Sequence, residues 1–370
     1  MDYTQMRDNA RKNFVKFLLE NKYLVIGISL FLVLFFIINR YYIGRIEKCL
    51  SVHDVYKDII NQQIPLEQNK DIMKNNYILA DFYICSSHKS YLPCTQYYDY
   101  SSPKAIEFAL KSGSRYIELD VFNKGFCRET KPVVTNGENP GNWHYTTDID
   151  LSDCFAVIKD IAFSNAISNK NDPLILMLNL NVEDNDFTNN AIAKYLRQYF
   201  GPRLLNSTYS YQRKNIGLTP IKELFQKVII ITNKSTKDTD LDELVNYNLE
   251  LPFIRNYNNN MINDLHDREE LINFNKRNIS RVYSSDKSRN SNNFNPYGGW
   301  FLGCQIVALN FQNPDKFMKF YIDKFKDSSF VLKPLQLRYT PLTYKKPKKQ
   351  SKKLSFAPKK INNPYYSITY

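Results

Sequence analysis

Hydrophobic and polar positions divide the chain into three regimes, and the first is the plainest. From Tyr23 to Asn39 the run YLVIGISLFLVLFFIIN carries no charge. Tyr41, Tyr42 and Ile43 extend it to about 20 residues, enough to cross ~30 Å of hydrocarbon. A cleaved leader has an apolar stretch of only ~7 to 15 residues followed by small residues, and neither holds here. A buried core helix would show a polar face, which is also missing. The pattern predicts one transmembrane helix over residues 23–43 behind a short N-terminal segment, 1–22. Basic residues flank both ends (Arg7, Arg11, Lys12, Lys16 and Lys22 before; Arg40, Arg45, Lys48 and Lys57 after), so the positive-inside rule barely discriminates orientation. Sequons at Asn206, Asn233 and Asn278 suit a lumenal domain, yet an asparagine-rich chain produces them by chance as readily.

Residues 44–76 form the second regime, a polar and partly helical linker in which apolar positions are sparse and the segment Gln62-Gln63-Ile64-Pro65 breaks any long helix. From Tyr77 onward, short β-rich runs alternate with longer amphipathic stretches. The predicted strands are Phe82 to Cys85, Tyr116 to Asp120, Pro132 to Thr135, Leu174 to Leu180, Lys227 to Thr232, Ser280 to Ser284, Cys304 to Phe311 and Phe330 to Leu332. Helical patterns fall between them at Pro103 to Lys111, Asp153 to Phe163, Asn190 to Phe200 and Pro314 to Phe325. Strand and helix in alternation predict a parallel sheet. Eight strands predict its closure into a (β/α)8 TIM-type barrel, in which functional groups sit at the carboxyl ends of strands. His88, Asp120, Asn136, Asn179, Lys234 and Tyr283 fall at or just beyond such ends. Residues 235–279, rich in Asn and charge, read as helix plus loop connecting two half-barrels.

Composition changes this picture at one end. Of the formal charge of +13, residues 341–370 supply +8, from eight lysines with no acidic residue. This segment has too little apolar content to fold alone and reads as a flexible polybasic tail. Such a tail suits an acidic membrane leaflet. A lysine run is unspecific, and nucleic acid is the less favoured partner. Six cysteines are scattered, with no CxxC pair and no zinc-site spacing, so reduced thiols are expected over disulfides.

Two ordered sets of residues carry a resemblance. Ser86-Ser87-His88-Lys89-Ser90-Tyr91-Leu92, Ser101-Ser102, Arg115-Tyr116-Ile117-Glu118-Leu119-Asp120 and Pro173-Leu174-Ile175-Leu176 are similar to the X half of eukaryotic phosphoinositide-specific phospholipases C. Ser280-Arg281-Val282-Tyr283, Asn293-Phe294-Asn295-Pro296, Gly303-Cys304-Gln305 running on to Gln312, and Val331-Leu332-Lys333-Pro334 resemble the Y half. The halves are assigned to residues 77–234 and 280–340. The reaction this implies is attack of the inositol 2-hydroxyl on the adjacent phosphodiester, release of diacylglycerol, and opening of the cyclic phosphate by water. It needs a base, an acid for the leaving group, and positive charge on the phosphorane.

Carried over residue by residue, the resemblance is mixed. His88 stands where the family has the histidine that contacts the transferring phosphate; Glu118 and Asp120 stand at two calcium-ligating positions. Two residues apart on a strand, they share a face, as a hard cation requires. The remaining ligands differ: Lys89 replaces an asparagine, and Asn179 replaces a glutamate. Calcium affinity should fall steeply. The second histidine, in a Tyr-His-Gly sequence, is Asn136, which cannot donate a proton to a leaving alkoxide; His144 in the next loop is a candidate replacement. Lys89 stands either as a fixed cation in calcium's place or as a simple partner for the acids of a retired site. Arg281 and Tyr283 match the family's Arg-x-Tyr, where arginine grips a ring phosphate and tyrosine packs on the inositol. Lys234 matches one phosphate-binding lysine, while Thr232 occupies the position of another. Gly303-Cys304-Gln305 reads as barrel packing.

Outside that context, a lone Arg or Lys is usually just solvated and a strand-end acid often caps the next helix. Within it, three readings follow. One is a membrane-anchored protein that binds phosphoinositide lipids or inositol phosphates with lost or impaired turnover. Another is a phospholipase C working by a modified, calcium-independent route, and the third is a tethered scaffold. Turnover of a lipid headgroup favours the cytoplasmic face for the barrel.

Overall fold

The computed structural model describes residues 12–17, 19–56, 63–124, 131–138, 143–182, 186–210, 214–285, 291–341 and 355–370, without the side chains of 41–55. Within it, residues 1–339 form one compact unit and residues 340–370 another.

The parallel strands of the first unit are β1 (Phe82–Ile84), β2 (Tyr116–Lys124), β4 (Leu174–Leu180), β5 (Val228–Thr232), β6 (Tyr247–Asn248), β7 (Ile254–Asn258), β8 (Ile279–Tyr283) and β9 (Ile306–Val307). Two antiparallel strands attach to them, β3 (Lys131–Val134) to β2 and β10 (Phe330–Leu332) to β1. The parallel order runs β7, β8, β9, β1 in one sheet and β2, β4, β5, β6 in the other. A parallel bridge between Ser86 and Tyr116 joins them. This is a TIM-type barrel. Among the described residues no ladder joins β6 to β7.

Eight parallel strands were expected, and their membership differs. Pro132 to Thr135 and Phe330 to Leu332 belong to the antiparallel strands. Two barrel strands lie in 235–279, read above as helix plus loop. Arg255, Asn256 and Asn258 make β7 polar, and only its pairing with β8, from Ile254 against Ile279 to Asn258 against Tyr283, reveals it. Cys304 to Phe311 is buried throughout, yet only Ile306–Val307 is ladder-paired, with Leu309 bridging Ser87.

The strand period of two explains where apolar and polar groups go. On β4, Leu174, Leu176 and Leu178 pack against the helices Leu151–Ala162 and Asp186–Phe200, whereas Ile175 and Met177 join the second core, inside the barrel. The next inward position is Asn179. On β2 the same alternation gives Tyr116, Glu118 and Asp120; on β8 it gives Ile279, Arg281 and Tyr283. Apolar side chains thus fill the amino-terminal end of the lumen and polar ones crown its carboxyl end. A third core packs Val282, Val307 and Leu309 against Trp300, Met318, Tyr321 and Phe325 on the Y side.

Gln305 closes the amino-terminal end. Its Nε2 donates to the carbonyls of Asn275 (2.7 Å), Asn278 (2.8 Å) and Ala80 (3.1 Å), and its Oε1 accepts from the Ser280 amide at 2.9 Å. The Gly303-Cys304-Gln305 segment therefore packs the barrel, since an apolar side chain at 305 could satisfy none of these backbone groups.

Helix Lys22–Val55 contains one stretch, Lys22–Arg40, long and apolar enough to cross a membrane by length and composition. Just beyond the helix, Tyr56 is fully buried, its hydroxyl donating to the Phe311 carbonyl at 3.0 Å and its ring 5.0 Å from that of Phe108. The linker is more buried than its polar composition suggests, because Gln63, Leu66 and Ile72 are also buried. Cys85, Cys154 and Cys304 are free and buried. Cys94, in a partly exposed loop, departs from the expectation of reduced thiols, being disulfide-bonded. Cys154 lies in the first core and Cys85 and Cys304 in the third, all shielded from solvent, whereas a loop thiol is accessible.

In the second unit, Lys360–Asn363 and Tyr366–Thr369 pair as an antiparallel hairpin. This corrects the expectation of an unstructured tail for its last residues. Alternating Ile361, Tyr366 and Ile368 supply a strand pattern there, while residues 342–354, with most of the tail's lysines, lie outside the described residues.

Lys333 generates a prediction. Fully buried, it donates to the Asn275 carbonyl at 3.1 Å. Burial pushes its ammonium down to about 7, against smaller opposite effects of Cys304 and Asp81. The native state then releases this proton near neutrality while the unfolded chain holds it to about 10.4, so unfolding takes up a proton between those values and stability rises with pH. Wild type should gain on Lys333→Met by roughly 1 kcal/mol per pH unit from pH 7 to 9, the slope for one proton. Denaturant unfolding of the full chain in detergent at each pH checks this, and parallel curves would exclude it.

Candidate functional site

At the carboxyl end of the strands a cavity of about 460 Å³ opens, lined among others by His88, Lys89, Glu118, Asp120, Asn179 and Arg281. Glu118 is its centre. It is 1% exposed and is held from three sides. Arg281 Nη2 donates to Oε2 at 2.6 Å, His88 Nδ1 lies 3.2 Å from the carboxylate, and Asn179 Nδ2 donates to Oε1 at 2.8 Å. Burial works against its charge, but the Arg281 guanidinium, and then His88, outweigh it and hold the carboxyl well below the usual carboxylate range. Arg281, itself 4% exposed, is also opposed by burial, yet Glu118 keeps it above its ordinary value.

The second acid is bound more loosely. Asp120 accepts from the Tyr91 hydroxyl at 2.7 Å and from Asn179 Nδ2 at 2.7 Å, while Lys89 Nζ stands 3.8 Å away. Lys89 reaches inward from a left-handed backbone conformation, φ +44°. For a residue with a Cβ this costs about 1 to 2 kcal/mol and persists only where the surroundings impose it. Its ammonium also donates to Asn136 Oδ1 and to Gln96 Oε1 at 3.3 Å. The Asn136 amide in turn donates to the Gln96 carbonyl, and its backbone amide to Thr146 Oγ1 at 2.9 Å. The two positions that depart furthest from the resembled pattern, Lys89 and Asn136, are therefore bonded to each other. A protonatable imidazole at 136 would face a fixed ammonium; the asparagine carbonyl accepts from it.

Tyr283 extends the wall. The Arg281 guanidinium lies 4.4 Å from its ring centroid, a cation–π contact, and its ring is 6.1 Å from that of His88. The alternation of β8 puts Arg281 and Tyr283 on one face, and His88 meets them from the segment after β1. Two expectations are not met. Lys234 Nζ donates to the Val182 carbonyl at 2.6 Å, and it is Asn233, not Lys234, that lines the cavity. Thr232 is buried, its hydroxyl donating to the Lys234 carbonyl at 2.9 Å. His144 does not reach the cavity either: it pairs with Asp148 at 2.6 Å and sets its ring against Phe122 at 5.3 Å. Its position opposite Gly137 in a short ladder fixes it there.

Sequence reasoning passed over Asn256, which accepts from Arg281 Nη1 at 2.7 Å. Its signal was available only through β7, whose inward positions, Asn256 and Asn258, line the same cavity. Tyr91 and Gln96, which orient Asp120 and Asn136, were likewise not singled out.

Calcium does not fit this donor set. Glu118 is already engaged by Arg281, His88 and Asn179, and Asp120 by Tyr91 and Asn179, with Lys89 close by. Two carboxylates face two fixed cations before any metal arrives, and a dication needs surplus negative oxygen. Among the described residues no group of three or more His, Cys, Asp or Glu could hold a metal ion.

Glu118→Gln should lower stability at pH 7 by roughly 3 kcal/mol, because it leaves Arg281 buried without its countercharge. The native carboxyl titrates below its unfolded value. Its stabilisation is therefore complete above about 4.3, fades as pH falls below that, and is gone once pH has passed the depressed native value. Denaturant curves should show the wild-type advantage intact at pH 5 and shrinking as pH falls below about 4.3.

Comparison with known proteins finds the same two domains in the same order, the second beginning well before residue 280. Residues 75–234 match the profile described as phosphatidylinositol-specific phospholipase C, X domain, and residues 226–336 match the corresponding Y domain. A human protein named "Inactive phospholipase C-like protein 1" is 25% identical over 368 residues, covering 82% of this chain and 32% of the relative. A Drosophila melanogaster "1-phosphatidylinositol 4,5-bisphosphate phosphodiesterase" is also 25% identical over 368 residues, covering 74% of this chain and 32% of the relative. The chain thus spans about a third of the length of these curated relatives. The crystal structure of L. pealei PLC21 matches with a TM-score of 0.62 at 24% identity, over 72% of this chain and 39% of that one, and shares the fold.

Proposed function

Because the chain belongs to the phosphatidylinositol-specific phospholipase C family, we propose that its barrel is a membrane-anchored receptor for phosphorylated inositol headgroups, with phosphodiesterase activity lost or impaired. The observation that carries this is the hydrogen bond from Lys89 to Asn136 at the rim of the cavity. It commits the position of the second histidine to holding a lysine, where the reaction needs a proton donor.

Recognition draws on groups that remain. A cavity of about 460 Å³ falls within the ~300 to 1,000 Å³ usual for small-molecule sites. Lys89 and Arg281 supply positive charge, and Tyr283 supplies a flat wall for the inositol ring. With His88 Nδ1 on Glu118, Nε2 is the ring nitrogen left for a phosphate oxygen. Lys234 would join only by leaving the Val182 carbonyl. The Lys22–Arg40 helix supplies the anchor, and the barrel is placed on the cytoplasmic side, where such headgroups lie.

A second reading, weak calcium-independent turnover, is favoured by the intact His88–Glu118 pair and by Lys89 standing 3.8 Å from Asp120, where a fixed cation offsets phosphorane charge without metal. Absence of headgroup binding would leave a tethered scaffold.

Two experiments separate these. The full chain in detergent should bind a soluble inositol phosphate, and Arg281→Ala should weaken that binding at least tenfold by calorimetry. Release of inositol phosphate from labelled phosphatidylinositol 4,5-bisphosphate should be slow or undetectable and unchanged by Ca²⁺. Robust calcium-dependent release, abolished in His88→Ala, would overturn the proposal. The paired change Lys89→Asn with Asn136→His should raise turnover by about 10² or more, the typical worth of a general acid, and more than the product of the single changes. Initial rates of the four proteins check this.

A further inference from the structure

The C-terminal hairpin is amphipathic. Its register pairs Ile361 with Ile368 and Asn363 with Tyr366, and Lys359 and Tyr370 exchange backbone hydrogen bonds at 2.8 and 3.1 Å. With a side-chain period of two, one face carries Ile361, Tyr366, Ile368 and Tyr370 beside Lys359 and Asn363. The opposite face carries Lys360, Asn362, Ser367 and Thr369, all polar. Every strand residue is exposed, Ile361 at 46%, Tyr366 and Ile368 at 52% and Tyr370 at 67%. A lone two-stranded hairpin is marginal in water unless something covers its apolar face.

Charge indicates what covers it. Residues 341–370 hold eight lysines and no acid, so the cover is anionic. An aliphatic pair flanked by tyrosines fits the boundary between headgroups and acyl chains, where rings with one wet end collect. Nucleic acid offers no partner for Ile361 and Ile368. A bilayer is also close at hand if Lys22–Arg40 spans one, which raises the effective concentration of lipid. We infer that residues 355–370 form a second membrane contact, laying the Ile361, Tyr366, Ile368 and Tyr370 face into an anionic leaflet while the lysines meet its headgroups. This goes beyond the headgroup reading and does not depend on it.

Hydrogen exchange on the full chain in lipid nanodiscs tests the inference. Amides of residues 359–370 should exchange at least tenfold more slowly in phosphatidylcholine discs containing 30% phosphatidylserine than in pure phosphatidylcholine, and 1 M salt should remove the difference. Ile361→Asp with Ile368→Asp should abolish the slowing. Because that change alone could open the hairpin, a variant with the lysines of 345–353 replaced by glutamine keeps the strands intact and should abolish it too. Arg281→Ala should leave it untouched, which separates failure here from failure of the headgroup proposal. Equal exchange in both discs would overturn the inference, whether the hairpin is protected by the chain itself, by a second copy, or not at all. So would slowing that appears only with an added RNA oligonucleotide.

Discussion

The buried pair of Glu118 and Arg281 is the constraint on which the rest of the barrel's upper half is arranged. One partner stands on a strand of the X half and the other on a strand of the Y half, and their 2.6 Å contact ties the halves together across the lumen. Neither charge tolerates that burial alone. Every neighbour is placed accordingly: Asn179 and His88 on the carboxylate, Asn256 and Tyr283 on the guanidinium. A pair held this tightly is already neutral, and this explains why the site lacks the surplus negative charge a dication needs.

What could be read in the sequence follows from which residues carry their own signal. Leu174 to Leu180 announces a doubly buried strand by the unbroken apolar run of its first five residues, and its limits come out as expected. Glu118, Asp120, Arg281 and Tyr283 were legible through the resemblance, and the strand period of two puts each pair on one face. Ile254–Asn258 was not, since a strand whose inward groups are asparagines looks like loop until a neighbour pairs with it. Phe330–Leu332 looks like any barrel strand, and its antiparallel direction is a property of the chain path. The reach of Lys234 and His144 depended on nearby acceptors, the Val182 carbonyl and Asp148, that no local pattern shows.

The contact of Lys89 with Asn136 changes how the altered residues are understood. Taken singly, a lysine at a metal position and an asparagine at a histidine position each look like loss. Taken together they form one arrangement: the ammonium needs an uncharged acceptor, and the asparagine provides it while donating to the Gln96 carbonyl. The left-handed backbone at Lys89 supports this, because a lysine whose only role was lost would be free to relax outward to solvent. The site is better described as rebuilt around a fixed cation than as decayed.

That rebuilding also bears on what the cavity can still do. Catalysis in this chemistry requires charge to be stabilised more strongly in the transition state than in the bound headgroup. A calcium ion can tighten on a phosphorane as charge accumulates. A lysine shared among Asp120, Asn136 and Gln96 has already spent much of its field on the resting protein. On the proposed reading it attracts a ground-state phosphate nearly as well as a transition state, and uniform attraction of that kind yields binding without acceleration. On the proposed reading, Arg281 and Tyr283 beside such a lysine are consistent as physics: fixed charges suited to holding a headgroup are poorly suited to cleaving it.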